Sequence, residues 1–269
     1  MEQMMSTYFS LFRRTGTAAL FIFLLAPLVA VIIVSVNAGA TPKFPPEGFS
    51  LRWYGAALAN PAFTGSALTS LVLAAVATAL GTPLGVAAAF GIARGKLPSS
   101  LRGLLEAIFL SPLIVPGIVI GVALLVTLST AGLRDAWLRL TLGHVLLVMP
   151  YVIRTSLAAL QSFDPSLEEA AHTLGASRRQ ILTRVTLPVL RPAIFAGAAF
   201  GFIISFDDAA VSIFLIDSST STLPLAIMSY MQYNFDPSIA AVSSMLIAIT
   251  LAGALVIERV FGLKKFLGN

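Results

Sequence analysis

The chain has no cysteine and only two histidines, and charged residues make up no more than 11% of its 269 residues. The lack of cysteine excludes a disulfide framework and any cysteine-ligated metal site. The shortage of charge excludes an ordinary soluble domain, in which about a quarter of the residues are charged. The remaining composition is apolar, with 57% hydrophobic residues and a mean hydropathy of +0.92. This composition predicts an all-α integral membrane protein.

Six apolar runs are long enough to cross a hydrocarbon core of about 30 Å as helices. They are 18–36, 64–90, 107–130, 138–157, 189–216 and 239–261. With a cytosolic N-terminus, thirteen of the 17 Lys and Arg residues fall on the cytosolic face and four on the other. Because cytosolic loops carry the excess of Lys and Arg, we predict a multi-pass protein in the lipid bilayer with both termini in the cytoplasm. The net charge of +5 then needs no nucleic acid partner.

Smaller features refine this plan. The first run begins like a cleaved signal peptide but is long for that role, so we interpret it as a retained span. Glycines spaced by four at 81/85, 117/121 and 197/201 predict close helix contacts. Pro112 and Pro116 predict a kink in the third run. Residues 50–58 are expected to form a short interfacial helix.

The longest polar segment between the runs is residues 163–188. Asp164 and Pro165 suit the start of a short helix, and Gly175 suits its end. Two glutamates, Glu168 and Glu169, lie in the first turn, where the helix dipole favours negative charge.

A second amphipathic helix is predicted directly after this turn. Ser177 is placed to cap its N-terminus. Pro188 and Pro192 are expected to close the segment, since proline cannot continue the hydrogen-bonding of a helix.

In this segment Glu169-Ala170-Ala171 is followed after three residues by Gly175, after nine more by Val185, and after one more by Leu187-Pro188. This order and spacing resemble the EAA loop in permease subunits of bacterial binding-protein-dependent ABC importers. The family usually has Ile where this chain has Val185, which is a volume-conserving departure. The resemblance implies a coupling set made up of Glu168, Glu169, Ala170, Ala171, Gly175, Val185, Leu187 and Pro188. It also implies a type I importer permease (MetI-like) fold of six transmembrane helices, one transmembrane domain over residues 1–269, and a cytosolic coupling helix within the loop at about 163–188.

The resemblance further implies the partners and the location of the chain. They are two ABC ATPase subunits, a second permease subunit that is homologous or identical, and a periplasmic substrate-binding protein, assembled at the inner membrane. ATP and Mg²⁺ would be held by the ATPase subunits, so this chain would bind no cofactor itself.

The residues agree with a transport subunit that is not an enzyme. The segment 91–96 superficially resembles a phosphate-binding loop, but Phe90 and Leu97 stand where that motif needs glycine and Ser or Thr. We find no nucleophile–base arrangement and no metal-ligand spacing, so neither a catalytic nor a metal site is expected.

Asp207 and Asp208 lie inside the fifth apolar run. An acidic side chain at bilayer depth costs about 2.5–3.5 kcal/mol, so it normally faces a cavity, a partner or a substrate. Adjacent residues point about 100° apart on a helix. We therefore expect one carboxylate to face the pathway and the other to cap a helix break or to pair with a basic group. His144, in the fourth run, is interpreted as a hydrogen-bonded packing residue and not as a proton relay.

The sequences 51–54 and 205–208 resemble the polyamine branch of the permease family. A carboxylate beside an aromatic ring suits a cationic amine, by charge pairing and cation–π contact. Phe206, Asp207 and Asp208 are therefore candidates for the substrate pathway, with spermidine and putrescine as the first-choice substrates. A structural or gating role for the acidic pair stays open. So do the other solutes of related permeases, which are opines, amino-acid-like compounds, aminophosphonates, thiamine and ferric iron.

Two other classes of function are weaker. An ion-coupled secondary transporter would use Asp207, Asp208 and His144, but it should show internal repeats, which we do not find, and it leaves the EAA-like spacing unexplained. An intramembrane enzyme would need a catalytic set on two spans, whereas these carboxylates are adjacent in sequence.

Overall fold

The computed structural model describes the backbone of residues 2–261, and their side chains except at 2–12, 254, 256–258, 260 and 261. Within these residues the chain is all-α, as predicted, with a single isolated bridge between Asn37 and Phe49 in place of any strand. The helices are α1 (Glu2–Ser35), α2 (Arg52–Ala59), α3 (Pro61–Arg94), α4 (Ser99–Leu110), α5 (Gly117–Thr130), α6 (Ala136–Gln161), α7 (Ser166–Thr173), α8 (Arg178–Ile181), α9 (Leu187–Asp207), α10 (Leu223–Tyr233) and α11 (Ser238–Phe261).

Membrane-length helices occur where the apolar runs predicted them. Of the described residues, Arg13–Ser35, α3, α6 and Arg178–Asp207 are each long and apolar enough to cross a membrane. The bent pair α4 and α5 adds a fifth crossing when it is counted as one span. The sixth run corresponds to α11, in which Ser238–Gly253 is a shorter apolar helix.

The described chain divides into two compact units. The first contains residues 2–64 and 227–252, and the second contains residues 65–226 and 253–261. In the first unit, the Tyr54 hydroxyl is hydrogen-bonded to Ser35 at 2.7 Å and to Ser244 at 2.8 Å. These bonds tie α2, the predicted short helix, to α1 and α11.

The second unit is built around α6, which is the most buried of the membrane-length helices. Val148 packs against Gly81 of α3 and Gly201 of α9. A Cβ atom built on either glycine would lie 3.0 Å or 2.7 Å from the Val148 Cγ1 atom. Val152 packs in the same way against Gly85, the next glycine of α3. A Cβ atom built on Gly85 would lie 2.9 Å from the Val152 Cβ atom. The glycine spacing predicted close helix contacts, and the structure confirms them.

The third apolar run is broken, where the sequence predicted a kink. Helices α4 and α5 meet at 104° across a 3₁₀ turn at Ser111–Leu113. Pro112 and Pro116 have no N–H to continue the helix. The Ser111 carbonyl accepts from Ile114 and Val115 at 2.9 Å, so the break is a hydrogen-bonded turn.

The fifth run is shorter as a helix than predicted. Helix α9 ends at Asp207, and only a 3₁₀ turn at Ser212–Phe214 follows before residue 217. The segment 217–237, which contains no Lys or Arg, is more than a loop: it includes α10, whose Leu223 and Leu225 are buried.

Candidate functional site

The predicted coupling segment folds into α7 and α8, joined by a tight turn. Asp164 accepts a hydrogen bond from the Ser166 N–H at 2.9 Å at the start of α7, and this bond helps to hold the pKa of Asp164 below its ordinary value. Gly175 has a φ of +81°, the left-handed region that favours glycine. Ser177 and Gln180 form a capping box on α8. The boundaries predicted at Gly175 and Ser177 are confirmed.

Pro188 and Pro192, which were expected to close this polar segment, do not interrupt the helix. Arg178–Asp207 is one helical run of 30 residues, in which a π turn at Leu182–Thr186 joins α8 to α9. A π turn closes its hydrogen bonds five residues back instead of four. Pro188 follows it at the start of α9, where a missing N–H is tolerated.

The outer surface of α7 combines charge with uncovered apolar groups. Glu169 is exposed, and its carboxylate accepts no hydrogen bond from the part of the chain that the structure describes. Ala170 is also exposed, and Leu174 leaves 88% of its surface uncovered. Such a short helix is suited to dock against another protein. Of the other members of the coupling set, Gly175 is exposed, and four are half-buried: Ala171, Val185, Leu187 and Pro188.

Glu168, although adjacent to Glu169, is held from inside the protein. Arg94, the last residue of α3, directs its Nη1 atom at both Glu168 oxygens at 2.6 Å. The buried Thr186, in the π turn, donates its hydroxyl to the same carboxylate. The Arg94 guanidinium also lies 5.7 Å from the Phe90 ring and 5.2 Å from the Phe163 ring. We call Arg94, Glu168 and Thr186 the Glu168 clamp, because they join α3, α7 and the π turn that leads into α9.

The electrostatics of the clamp favour the ionised carboxylate. Partial burial raises the pKa of Glu168, but the hydrogen bonds from Arg94 and Thr186 and the Arg94 charge outweigh it and lower the pKa below its ordinary value. An open groove of about 700 Å³ lies beside the clamp. Its lining also includes Glu169, His172 and Arg178, so charged side chains lie beside apolar ones in the groove next to α7.

The acidic break, residues 207–212, lies at the end of α9. Asp208 leaves the helix with extended backbone angles. Its Oδ2 atom accepts hydrogen bonds from the N–H of Ser212 (2.8 Å), the hydroxyl of Ser212 (2.9 Å) and the N–H of Val211 (3.2 Å). Asp208 therefore caps the helix break, which is one of the two roles expected for the pair.

Asp207 has the opposite surroundings. It is exposed, and its carboxylate has no hydrogen-bond partner among residues 2–261. Phe206 precedes it and stacks on Phe202, with ring centroids 6.2 Å apart and planes 7° apart. The break thus combines a carboxylate that has no hydrogen-bond partner among these residues with an aromatic pair, one ring of which belongs to the preceding residue. Whether Phe206, Asp207 and Asp208 meet a substrate stays a prediction.

The interpretation of His144 as a buried, hydrogen-bonded residue agrees with the structure. It is fully buried in α6, with its ring nitrogens near the hydroxyls of Ser205 (2.7 Å) and Ser212 (3.0 Å).

Sequence reasoning missed four residues of these sites: Arg94, Thr186, Ser205 and Ser212. Arg94 closes an apolar run, so it was counted only as a cytosolic charge. The hydroxyl groups gave no local signal, since serine and threonine are common in membrane helices. Among the described residues, no group of three His, Asp or Glu side chains comes together as metal ligands.

Membrane-length helices, with short helices between two of them and a broken acidic span, are the features of a multi-pass membrane protein. The chain belongs to the family described as "Binding-protein-dependent transport system inner membrane component", which matches residues 81–263. It is therefore an inner-membrane permease of ABC importers, and the ABC importer permease fold predicted from the EAA-like loop is confirmed.

The chain is also similar to two relatives and, in its fold, to one solved structure. The chain is 28% identical over 241 residues to the spermidine/putrescine transport system permease protein PotC of Escherichia coli (strain K12), covering 90% of each chain. It is 30% identical over 243 residues to the putrescine transport system permease protein PotI of the same strain, covering 87% of this chain and 85% of PotI. A bacterial ABC transporter involved in the import of the acidic polysaccharide alginate superposes with a TM-score of 0.72 at 15% identity, covering 94% of this chain and 96% of the other.

Proposed function

We propose that this chain is the permease subunit of an ATP-driven polyamine importer and that it forms the substrate pathway with a second permease subunit, homologous or identical. The observation that supports this most is the exposed Asp207 carboxylate at the acidic break. An uncompensated negative charge at bilayer depth is costly unless a cation meets it. The similarity to PotC and PotI supports the choice of a polyamine as that cation.

The fold alone does not select this substrate. The transporter that imports the acidic polysaccharide alginate has a similar fold, yet its substrate has the opposite charge to a polyamine. Any selection of substrate by this chain must therefore come from its side chains. The acidic break supplies the negative charge that a cationic substrate requires. Asp207 would pair with an ammonium group, and the ring of Phe206 would offer its face to the same cation.

The transport cycle would be powered by two ATPase subunits that dock on α7. ATP binding would close the ATPases, bring the α7 elements of two permeases together and turn the pathway outward, and hydrolysis would reset it. A periplasmic binding protein would deliver the substrate. This arrangement needs both termini in the cytoplasm, which the distribution of Lys and Arg supports. The chain itself would hold no ATP or Mg²⁺.

The substrate is tested by reconstituting the permease with its ATPase, sister permease and binding protein in proteoliposomes. We expect ATP-dependent uptake of radiolabelled putrescine and spermidine and no uptake of a neutral sugar. Uptake of the sugar, or of an anion in place of the polyamine, would contradict the substrate. Uptake driven by an ion gradient without the ATPase would contradict the whole proposal.

The docking role of α7 is tested by Glu169→Gln and Gly175→Ala in the same complex. We expect ATP hydrolysis to lose its dependence on substrate-loaded binding protein while the subunit stays inserted. Glu106→Gln serves as the control, because it neutralises a glutamate of α4 outside the segment whose carboxylate, like that of Glu169, accepts no hydrogen bond from the described residues. Normal coupling in both α7 variants would remove this role.

A further inference from the structure

His144 bridges the two sides of the acidic break. Its Nδ1 atom lies 2.7 Å from the hydroxyl of Ser205, in the last turn of α9. Its Nε2 atom lies 3.0 Å from the hydroxyl of Ser212, in the 3₁₀ turn beyond the break. His144 itself belongs to α6, which runs unbroken past both partners. One imidazole ring thus connects three chain segments where α9 stops.

The protons of this network can be assigned. Ser212 donates its one hydroxyl proton to the Asp208 carboxylate at 2.9 Å, so its oxygen must accept from the Nε2–H of His144. In the neutral ring, Nδ1 then accepts the hydroxyl proton of Ser205. The four side chains of Ser205, His144, Ser212 and Asp208 form one continuous chain of hydrogen bonds. His144, Ser205 and Ser212 are each buried.

We infer that His144 is a positioning residue that sets the location of Asp207. Asp207 is the final residue of α9, two positions after Ser205, and the ring of His144 fixes the distance between that helix end and the following turn. The inference rests on the proposed function for its importance in transport, but its geometry does not depend on the substrate. A histidine that only filled space would be replaceable by leucine, whereas removing this one leaves the buried Ser205 hydroxyl unpaired and takes from Ser212 the hydrogen bond that its oxygen accepts.

The chain offers a direct readout, because it has no cysteine. Asp207→Cys introduces a single thiol at the break, and its rate of reaction with a cationic methanethiosulfonate reagent reports its exposure to water. Adding His144→Leu should raise this rate by about threefold or more, since the unpaired Ser205 hydroxyl draws water into the loosened break. His144→Gln keeps an N–H for Ser212 and should return the rate to within about twofold of the starting value.

Two further variants keep the result decisive. Ser218→Cys places the thiol on an exposed residue beyond the break, and its reactivity should not respond to His144→Leu. If His144→Leu fails to insert, Ser205→Ala removes one partner of the ring and should raise the rate of the thiol at position 207 in the same direction. Equal rates with and without these changes, or equal changes at positions 207 and 218, would overturn the positioning role. A response at position 207 together with normal polyamine uptake by Asp207→Asn would keep the positioning role and reject the proposed substrate contact.

Discussion

Two pairs of adjacent carboxylates, one in α7 and one at the end of α9, follow the same division of labour. In α7, Glu168 is held by Arg94 and Thr186 while Glu169 is exposed. At the acidic break, Asp208 caps the 3₁₀ turn while Asp207 is exposed. In each pair one carboxylate is held by hydrogen bonds within the protein and its neighbour is exposed.

The order within the pairs is reversed, and the reason is local backbone geometry. In α7 the first glutamate faces the end of α3, and its neighbour is turned about 100° away along the helix. At the break, Asp208 is the first residue outside α9, so its carboxylate can reach the N–H groups of the following turn. The comparison teaches that adjacent acids in this protein are not equivalent, and mutations of each pair should separate the two roles.

The largest difference is expected between Asp208→Ala and Asp207→Ala. Removing the Asp208 carboxylate leaves the N–H of Ser212 and its hydroxyl without their acceptor, at about 1–3 kcal/mol for each buried group. Asp207→Ala removes no internal bond. Heating the purified protein in detergent and measuring the folded fraction by size-exclusion chromatography should show a clear loss of stability for Asp208→Ala only. Similar melting of both variants would break the comparison.

The next largest difference is expected between the Glu168→Gln and Glu169→Gln variants, in the coupling of uptake to ATP hydrolysis. Charge-assisted hydrogen bonds contribute about 1.5–3 kcal/mol, so loosening the Glu168 clamp should cut polyamine uptake per ATP hydrolysed by roughly tenfold. Glu169→Gln should leave the stability of the subunit unchanged and weaken only its response to the ATPase. The exchange of charges in Arg94→Glu with Glu168→Arg should recover part of the coupling. No recovery, with each single variant equally impaired, would mean that the ion pair is not what transmits the motion.

A smaller effect is expected for Asp207→Asn. An exposed charge pair contributes up to about 1 kcal/mol, so uptake of a polyamine should fall by up to about fivefold while stability is unchanged. The control is Glu106→Gln, which neutralises an acid away from the break that also has no hydrogen-bond partner among the described residues. Unchanged polyamine uptake by Asp207→Asn would leave the acidic break with a structural role alone.

The smallest effect is expected in the melting temperature when the pH is lowered. The pKa of Glu168 is lowered in the folded protein, so its clamp stabilises the fold above the ordinary glutamate value of 4.5 and loses that contribution as the pH falls below it. The melting temperature should therefore drop between pH 7 and pH 4 by less in Glu168→Gln than in the unaltered protein. Asp164, whose pKa is also lowered, is present in both proteins and cancels in the difference. Identical drops would show that the clamp does not depend on the ionised carboxylate.

Local signals in the sequence predicted a large part of this structure. Gly175 and Ser177 obey rules that involve only a few neighbouring residues, and both helix boundaries were located correctly. The glycines at 81 and 85 predicted close packing because a missing side chain lets two helices approach. Family resemblance then assigned the fold.

What could not be predicted depends on contacts distant in sequence. Arg94 and Glu168 are 74 residues apart, so nothing near either residue announces the ion pair. The prolines at 188 and 192 mark the end of the polar segment but not the end of a helix, because a π turn at Leu182–Thr186 joins α8 to α9. Helix α10 was missed because its burial depends on tertiary packing: the Leu223 N–H donates to Ser70, 153 residues away, at 2.8 Å.

The fit of Val148 and Val152 between glycines of two neighbouring helices has a consequence for motion. A slide of an ångström or two along α6 would drive the valine methyl groups into the glycine backbones of α3 and α9, because packed cores resist small continuous shifts. These three helices must therefore travel as a single rigid block. In the transport cycle proposed above, the pathway would then turn outward by movement at the margins of this block.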